Sequence, residues 1–285
     1  MWNNYNMFNL KVKKPSNLSK FLCEETGLSF SLINKKIREK QVIVNGIRIK
    51  ENILLDEGDE VKLFANEKNI EFKTIFEDDN VLIILKPKGI ESVSKTEASV
   101  EKQISKKYDF IRAIHRLDRN TEGLLILAKN SKAESILIDA FKNHKIEKTY
   151  YAFVFGNPPS KKVRAVAYLK KNSQKATVMI FDEKIKGSDE IITEFEKIKQ
   201  NGEISQLKVN LITGKTHQIR AHLAHLNFPI VGDGKYGNSV LNKKYGKKQQ
   251  ELYAVKIKFN LTNELKYLND HDFSYEPKVD IKGKK

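Results

Sequence analysis

The chain has 285 residues, 40% of them hydrophobic, which is enough for one large domain or two smaller domains with their own cores. It carries 52 Lys and Arg against 36 Asp and Glu, and the resulting net charge of +16 favours a polyanionic partner, nucleic acid before a membrane surface. A single cysteine, Cys23, excludes an internal disulfide framework and a metal site built from several cysteines. Apolar runs are far shorter than the ~20 residues that cross a bilayer, and the first ten residues lack the pattern of a signal peptide. We therefore expect a cytoplasmic monomer that contacts RNA or DNA, with no membrane partner and no metal.

Residues 15–66 have the pattern of a small module in which two short helices precede a hairpin. Apolar residues recur there at helical spacing in two groups, Leu18, Phe21 and Leu22, then Leu32, Ile33 and Ile37. Asn45-Gly46 separates two β-branched runs and predicts a tight turn, because both residues tolerate positive φ. The polar stretch 65–73 then predicts a linker.

Residues 74–268 predict a larger domain of the α+β class with a mixed, mainly antiparallel sheet. Its strands are expected at the runs Val81–Leu85, Gly123–Ala128, Tyr150–Phe155, Ala165–Leu169, Ala176–Phe181, Ile191–Ile198 and Ser205–Ile212. One helix is expected to begin with a capping box at Ser131, and another to be capped by Thr216. The polar and basic segment 269–285 predicts a loose tail.

The densest polar cluster is the run 115–123, His-Arg-Leu-Asp-Arg-Asn-Thr-Glu-Gly, which directly precedes a predicted buried strand. Arg116 and Arg119 flank Asp118, and neighbouring guanidinium groups favour the ionised form of a carboxyl group. The other interpretation is a solvated loop with local ion pairs, which contribute little to stability. Spacing alone leaves both interpretations open.

This run resembles the H-R-L-D-x-x-T-S-G-L-L signature of pseudouridine synthases of the RluA/RluC/RluD class, which act mainly on ribosomal RNA. Three further segments agree in the same order: Lys86-Pro87-Lys88-Gly89 with K-P-x-G, Lys148-Thr149-Tyr150 with K-x-Y, and 213–220 followed by Gly232-Asp233 and Tyr236-Gly237 with T-G-R-T-H-Q-I-R…G-D…Y-G. The resemblance covers about residues 74–259. Glu122 stands where Ser is usual and Lys215 where Arg is usual, and neither departure removes a charged catalytic residue.

The resemblance implies an isomerase that breaks the N1–C1′ bond of uridine and joins C5 to C1′, with no cofactor. It marks Asp118 as the catalytic carboxylate and Arg220 as the arginine paired with it. Tyr150 matches the tyrosine that lies against the target base, and Arg116 matches the residue that fills the gap left by the flipped nucleotide. Whether Asp118 attacks the sugar or removes a sugar proton stays open. The alternatives are an RNA N-glycosidase and a non-catalytic RNA-binding or ribosome-assembly factor.

The first module resembles an S4 RNA-binding domain, which members of this class often carry in that place. On this interpretation Lys35, Lys36 and Arg38 contact phosphates, and Lys86 of the larger domain also contacts RNA. The alternative is a helix–hairpin unit that serves only for packing. An S4-like module favours large-subunit (23S) ribosomal RNA as the substrate, with transfer RNA as the alternative.

Overall fold

A computed structural model of the chain describes residues 6–65, 71–94, 99–172 and 174–279. The chain divides into two compact units, one formed by Met1–Glu71 with Val93–Lys106 and the other by Phe72–Ser92 with Lys107–Lys285. No helix within the described ranges is long and apolar enough to cross a membrane. Part of the predicted linker, residues 66–70, lies outside the described residues.

The smaller unit combines short helices with a four-stranded antiparallel sheet. Its elements are β1 (Asn6–Lys11), β2 (Ser16–Asn17), α1 (Leu18–Thr26), α2 (Phe30–Arg38), β3 (Val42–Val44), β4 (Ile47–Ile49), β5 (Leu54–Leu55), β6 (Glu60–Ala65) and α3 (Val100–Ile104), which a 3-10 helix (Ser105–Lys107) follows. The sheet has the order β1-β6-β3-β4, and β2 pairs with β5 separately. Apolar residues of α1 and α2, including Leu22 and Ile33, pack with Val42 and Leu63 of the sheet in one core.

Strand β1 lies outside the predicted module 15–66, yet it pairs with β6 over six consecutive positions. Only Phe8 and Leu10 of this strand pack against the core, and its apolar run Met7-Phe8 is broken by Asn9. The sequence of β1 therefore lacks the apolar pattern by which a strand is predicted. The strand is held mainly by its hydrogen bonds to β6, and these leave no such pattern in the sequence.

The larger unit contains a long mixed sheet. Its strands are β7 (Lys73–Glu77), β8 (Val81–Lys86), β9 (Arg112–Ala113), β10 (Glu122–Ala128), β11 (Ile146–Phe155), β12 (Val163–Asn172), β13 (Thr177–Phe181), β14 (Asp189–Asn201), β15 (Ile204–Leu211), β16 (Leu252–Phe259) and β17 (Phe273–Ser274). Its helices are α4 (Ser131–Lys142), α5 (Gln218–His225) and α6 (Ser239–Lys244), with a 3-10 helix at Lys266–Asp270.

The main path of this sheet runs β13-β12-β14-β15-β11-β16-β10-β8-β7, with β17 beside β16 and β9 beside β10. Among the described strands, β10 and β16 form the one parallel pair. The predicted α+β class with a mixed, mainly antiparallel sheet is confirmed. The core on one face combines β8, β10 and β16 with the apolar side of α4, including Leu137 and Phe259.

Three local predictions about this unit need correction. Helix α4 is capped by Asn130, whose side chain accepts a hydrogen bond from the Ala133 N–H at 2.8 Å, one residue before the expected Ser131. Helix α5 is preceded by His217 in a left-handed conformation rather than capped by Thr216. The segment 269–285 is not loose throughout, because Phe273 is buried in the core and pairs with β16.

Candidate active site

The polar run that contains Asp118 is a loop whose backbone is fixed from several sides. Leu117 is held by Ser92, whose Oγ accepts from the Leu117 N–H at 2.9 Å and donates to its carbonyl oxygen at 3.1 Å. The Thr121 N–H donates to the Asp118 carbonyl oxygen at 2.9 Å. Nε2 of His115 accepts from the Ile126 N–H at 3.1 Å. The 23% exposed side chain of Asp118 therefore projects from a rigid turn.

Lys86 was expected to contact RNA, and this prediction is wrong because its side chain is fully buried. Its Nζ donates to the carbonyl oxygens of Pro87 at 2.9 Å, Ile90 at 2.8 Å and Arg119 at 3.2 Å. Burial lowers the pKa of this ammonium to about 8, although the charges of Asp118 and Glu122 act in the opposite direction. Lys86 thus ties the loop after β8 to the loop that carries Asp118.

Arg220 joins two carboxylates that lie far apart in the sequence. Its NH1 donates to Oδ2 of Asp118 at 2.8 Å, while its Nε and NH2 donate to Oδ2 and Oδ1 of Asp233 at 2.7 and 2.9 Å. Burial acts against the charged guanidinium, but the hydrogen bonds and charges of Asp233 and then Asp118 raise the pKa of Arg220 above its usual value. The structure therefore brings the predicted pair Asp118 and Arg220 together, and Arg220 stays charged.

Asp233 fixes the orientation of that arginine. Burial favours the neutral form of this carboxyl group, but Arg220 and the N–H groups of Lys235 and Tyr236 hold its pKa below the usual range. Oδ1 accepts from those two N–H groups at 2.8 and 3.1 Å. Asp233 matches the aspartate of the G-D pair in the family motif, but the sequence did not predict a role for it.

His217 also lies near Asp118, and its ring is held by Tyr236. The Val178 N–H donates to Oη of Tyr236 at 2.8 Å, and the same Oη lies 2.9 Å from Nδ1 of His217. Within the described part of the chain this hydroxyl has no other acceptor, so its hydrogen is donated to Nδ1. Burial lowers the pKa of His217, with Asp118 acting in the opposite direction. A neutral His217 consequently carries its hydrogen on Nε2, 4.0 Å from Oδ2 of Asp118.

Tyr150 forms part of a narrow pocket beside Asp118. The pocket is lined by residues of β11, of the Asp118 loop and of the segment that leads into α5, including Lys148, Leu211 and Gly214. The Tyr150 side chain is buried, and this burial, with the nearby Asp118 charge, raises its pKa above the usual value. Tyr150 is therefore a neutral phenol that lines the pocket.

A wider groove opens from this pocket and carries most of the cations around Asp118. Its lining includes the basic residues Arg116, Arg119, Lys148, Lys215, Lys235 and Lys248. Arg116 is exposed, and its guanidinium has no hydrogen-bond partner among the described residues. Arg119 donates from Nε to the Gly89 carbonyl oxygen at 3.0 Å, and Lys215 lies 3.1 Å from a carboxylate oxygen of Asp189. The excess of positive charge suits a polyanion.

Gly123 explains why the motif around Asp118 ends in a glycine. Its φ is +144°, and a Cβ built on it would lie 2.4 Å from the carbonyl oxygen of Ala254 in the parallel neighbour β16. Only a residue without a side chain fits this approach. The loop that carries Asp118 therefore enters the sheet at one fixed point.

The three basic residues predicted on α2 separate into two kinds. Lys35 and Arg38 are exposed on the last turn of the helix. Lys36 is buried, and its Nζ donates to the Phe64 carbonyl oxygen at 3.0 Å and to Oε1 of Gln41 at 3.1 Å. The prediction that Lys36 contacts RNA is therefore wrong, because its ammonium is used inside the smaller unit.

Comparison with known proteins agrees with this geometry. The family model described as RNA pseudouridylate synthase matches residues 80–225. Ribosomal large subunit pseudouridine synthase C of Buchnera aphidicola subsp. Baizongia pistaciae is 34% identical, over 88% of this chain and 82% of the relative. An uncharacterized RNA pseudouridine synthase of Mycoplasma capricolum is 32% identical over 84% and 86%. The solved structure of Human RNA Pseudouridylate Synthase Domain Containing 1 shares the fold, with a TM-score of 0.59 at 22% identity over 68% of this chain and 81% of that one.

The fold and the motif residues that surround Asp118 define an enzyme that acts on RNA. The chain belongs to the RNA pseudouridylate synthase family and is an isomerase.

Proposed function

We propose that this enzyme converts specific uridines of large-subunit (23S) ribosomal RNA into pseudouridine, as a monomer in the cytoplasm. The names of relatives with 34%, 32% and 33% identity, each a ribosomal large subunit pseudouridine synthase C, support this substrate. The observation that carries the proposal is the Asp118–Arg220–Asp233 cluster, of which Asp118 and Arg220 line a cationic groove. A protein that only binds RNA gains nothing from a carboxylate placed beside its backbone.

Asp118 is proposed as the catalytic carboxylate, acting as the anion. Arg220 donates a hydrogen bond to Oδ2, and Nε2 of His217 lies 4.0 Å from that same oxygen. No hydrogen bond of Oδ1 is found among the described residues, so Oδ1 is the atom proposed to face the ribose. It either attacks the sugar or removes a sugar proton on the way to a glycal, and both routes need the ionised form.

Tyr150 is proposed to lie against the target uracil. A base stacked on an aromatic ring gains ~1–3 kcal/mol, which helps to offset the loss of stacking in the RNA. The raised pKa of Tyr150 means that the phenol supplies a surface and a hydroxyl group rather than a charge.

Arg116 is proposed to occupy the space that the flipped nucleotide leaves. It is exposed at the groove and has no partner within the described residues, so its planar guanidinium is available for stacking. Extrusion costs a few kcal/mol and least for bases in loops, so such a residue matters most for paired targets.

The smaller unit is proposed to be an S4-like RNA-binding module, with Lys35 and Arg38 against phosphates. Its two helices and hairpin present both cations on the exposed last turn of α2. Transfer RNA is the alternative substrate, since phosphate contacts alone do not select one RNA.

The test is a map of pseudouridines in ribosomal and transfer RNA from cells with and without the gene. The proposal expects one or a few pseudouridines of 23S RNA to disappear and to return when the purified enzyme acts on the unmodified RNA. Loss of sites only in transfer RNA would contradict the proposed substrate. Free uracil released in the purified reaction would indicate an N-glycosidase instead.

A further inference from the structure

Lys148 is an enclosed cation beside the proposed position of the target base. It lies two residues before Tyr150 on β11, so both side chains leave the same face of the strand. It lines the narrow pocket beside Asp118 and also the wider groove. Its Nζ lies 4.8 Å from the centre of the Phe141 ring and 4.0 Å from the position of a Cβ built on Gly214. The ammonium thus lies between the ring of Phe141 and Gly214, which has no side chain to fill the pocket.

Lys148 has no counter-charge in the part of the chain that the structure describes. Among the described residues, no carboxylate forms an ion pair with its Nζ and no acceptor forms a hydrogen bond with it. Burial lowers the pKa of Lys148 to about 8, so the group is still mostly charged near pH 7. The Lys148 side chain is half-buried, and an ammonium that is withdrawn from water without a counter-charge destabilises a protein. Such groups are concentrated at functional sites.

The other cations of the narrow pocket are committed elsewhere or exposed. Arg220 is already shared between Asp118 and Asp233, and Lys215 is paired with Asp189. Arg116 is exposed to solvent, where its charge is screened. The charge that can act at short range inside this pocket is therefore that of Lys148.

The chemistry of the reaction creates a negative charge at this place. When the N1–C1′ bond breaks, its electron pair leaves with the base and spreads over N1, O2 and O4 of uracil. The charge disappears when C5 bonds to C1′, the C5 proton is lost and N1 gains a proton. This holds whether Asp118 bonds to C1′ or removes a sugar proton, because either route ends with the electron pair on the uracil.

We propose that the Lys148 ammonium donates a hydrogen bond to a carbonyl oxygen of the target uracil and stabilises the anion formed when the glycosidic bond breaks. The inference rests on the proposed function and adds the group that stabilises the departing base. An oriented cation in an enclosed pocket stabilises developing charge strongly, because it needs no reorganisation when the charge appears.

The test compares Lys148→Met and Lys148→Arg with Lys258→Met, a control on the neighbouring strand β16 whose side chain is exposed. Lys148→Met is expected to slow single-turnover isomerisation by about a hundredfold or more. Its RNA affinity should stay within about twofold, and its melting temperature should be unchanged or higher, because a half-buried charge without a counter-charge has been removed. Lys258→Met should behave as the unaltered enzyme. Activity of Lys148→Met within about threefold of the unaltered enzyme would overturn the inference.

The pH profile gives a readout that a structural role would not change. The single-turnover rate of the unaltered enzyme should fall as pH rises through about 8, because the Lys148 ammonium loses its proton there. Lys148→Arg stays protonated and should remove this fall between pH 7 and 9. A fall that persists unchanged in Lys148→Arg would belong to another group, such as Lys86, whose pKa is also lowered to about 8, and would contradict the assignment to Lys148.

A phosphate of the RNA is the rival partner of Lys148, and a modified substrate separates the two. If Lys148 binds a phosphate, uncharged methylphosphonates on both sides of the target should erase the difference between Lys148→Met and the unaltered enzyme. The proposed contact to the base predicts that the difference persists. An unaltered enzyme that forms no pseudouridine in any RNA would instead remove the proposed function itself.

Discussion

Nε2 of His217 lies 4.0 Å from Oδ2 of Asp118, the oxygen to which Arg220 donates at 2.8 Å. The Tyr236 hydroxyl determines which nitrogen of His217 carries the hydrogen, because that hydroxyl accepts from the Val178 N–H and donates to Nδ1. Oδ2 of Asp118 therefore lies beside two N–H groups, whereas Oδ1 has no hydrogen bond among the described residues and is the oxygen that we propose faces the substrate.

Tyr236→Phe removes the hydroxyl that keeps the hydrogen of His217 on Nε2. We expect this variant to slow single-turnover isomerisation by roughly tenfold. The variant loses two hydrogen bonds, the one accepted from the Val178 N–H and the one donated to Nδ1 of His217, which should lower the free energy of unfolding by about 1–3 kcal/mol. Rates measured well below the melting temperature separate the two effects. A variant that is destabilised but fully active would show that the hydroxyl serves packing alone.

Arg116→Ala is expected to slow base flipping, with a greater loss for a target uridine in a paired helix than for one in an open loop. Arg116→Lys should restore little, because an ammonium has no planar surface for stacking. A fluorescent base analogue at the target reports extrusion separately from chemistry. Normal extrusion in Arg116→Ala, or full activity of Arg116→Lys, would identify a phosphate contact instead.

Replacing Lys35 and Arg38 together by Ala is expected to weaken RNA binding and to make the affinity less dependent on salt, because phosphate contacts are lost. The fold should be unchanged, since both side chains are exposed. Lys20→Ala is the matched control, because Lys20 lies on α1 and is equally exposed. Identical salt slopes for the double variant and the control would contradict an RNA contact by α2.

Lys36→Met is not expected to change the salt dependence of RNA affinity, because Lys36 is buried. Lys35, Lys36 and Arg38 look alike along the chain, yet the middle residue is buried against the Phe64 carbonyl oxygen. Lys86 was misplaced for the same reason, since its three carbonyl partners come from two separate loops. A basic residue in a sequence does not reveal whether its partner is a phosphate or a buried carbonyl group.

The strands with continuous apolar runs were predictable, and β8 and β10 appear where those runs lie. Strand β16 was not among the predicted strands, although it lies between β10 and β11. Lys256 and Lys258 interrupt its apolar residues, because one face of the strand meets solvent there. The proximity of Asp118 and Arg220, 102 positions apart, followed from the family resemblance and not from spacing. The sequence did not predict that Asp233 orients Arg220 or that Tyr236 orients His217, because these contacts depend on the three-dimensional structure.

The measurement that tests the account most directly is single-turnover isomerisation by Asp118→Asn. An amide keeps the shape of the side chain and still accepts from Arg220, but it supplies no anionic oxygen to the ribose. The account predicts that isomerisation is lost by at least about a thousandfold, while RNA affinity stays within a few-fold and the protein remains folded. A variant that retains even a tenth of the turnover of the unaltered enzyme would remove Asp118 from the mechanism.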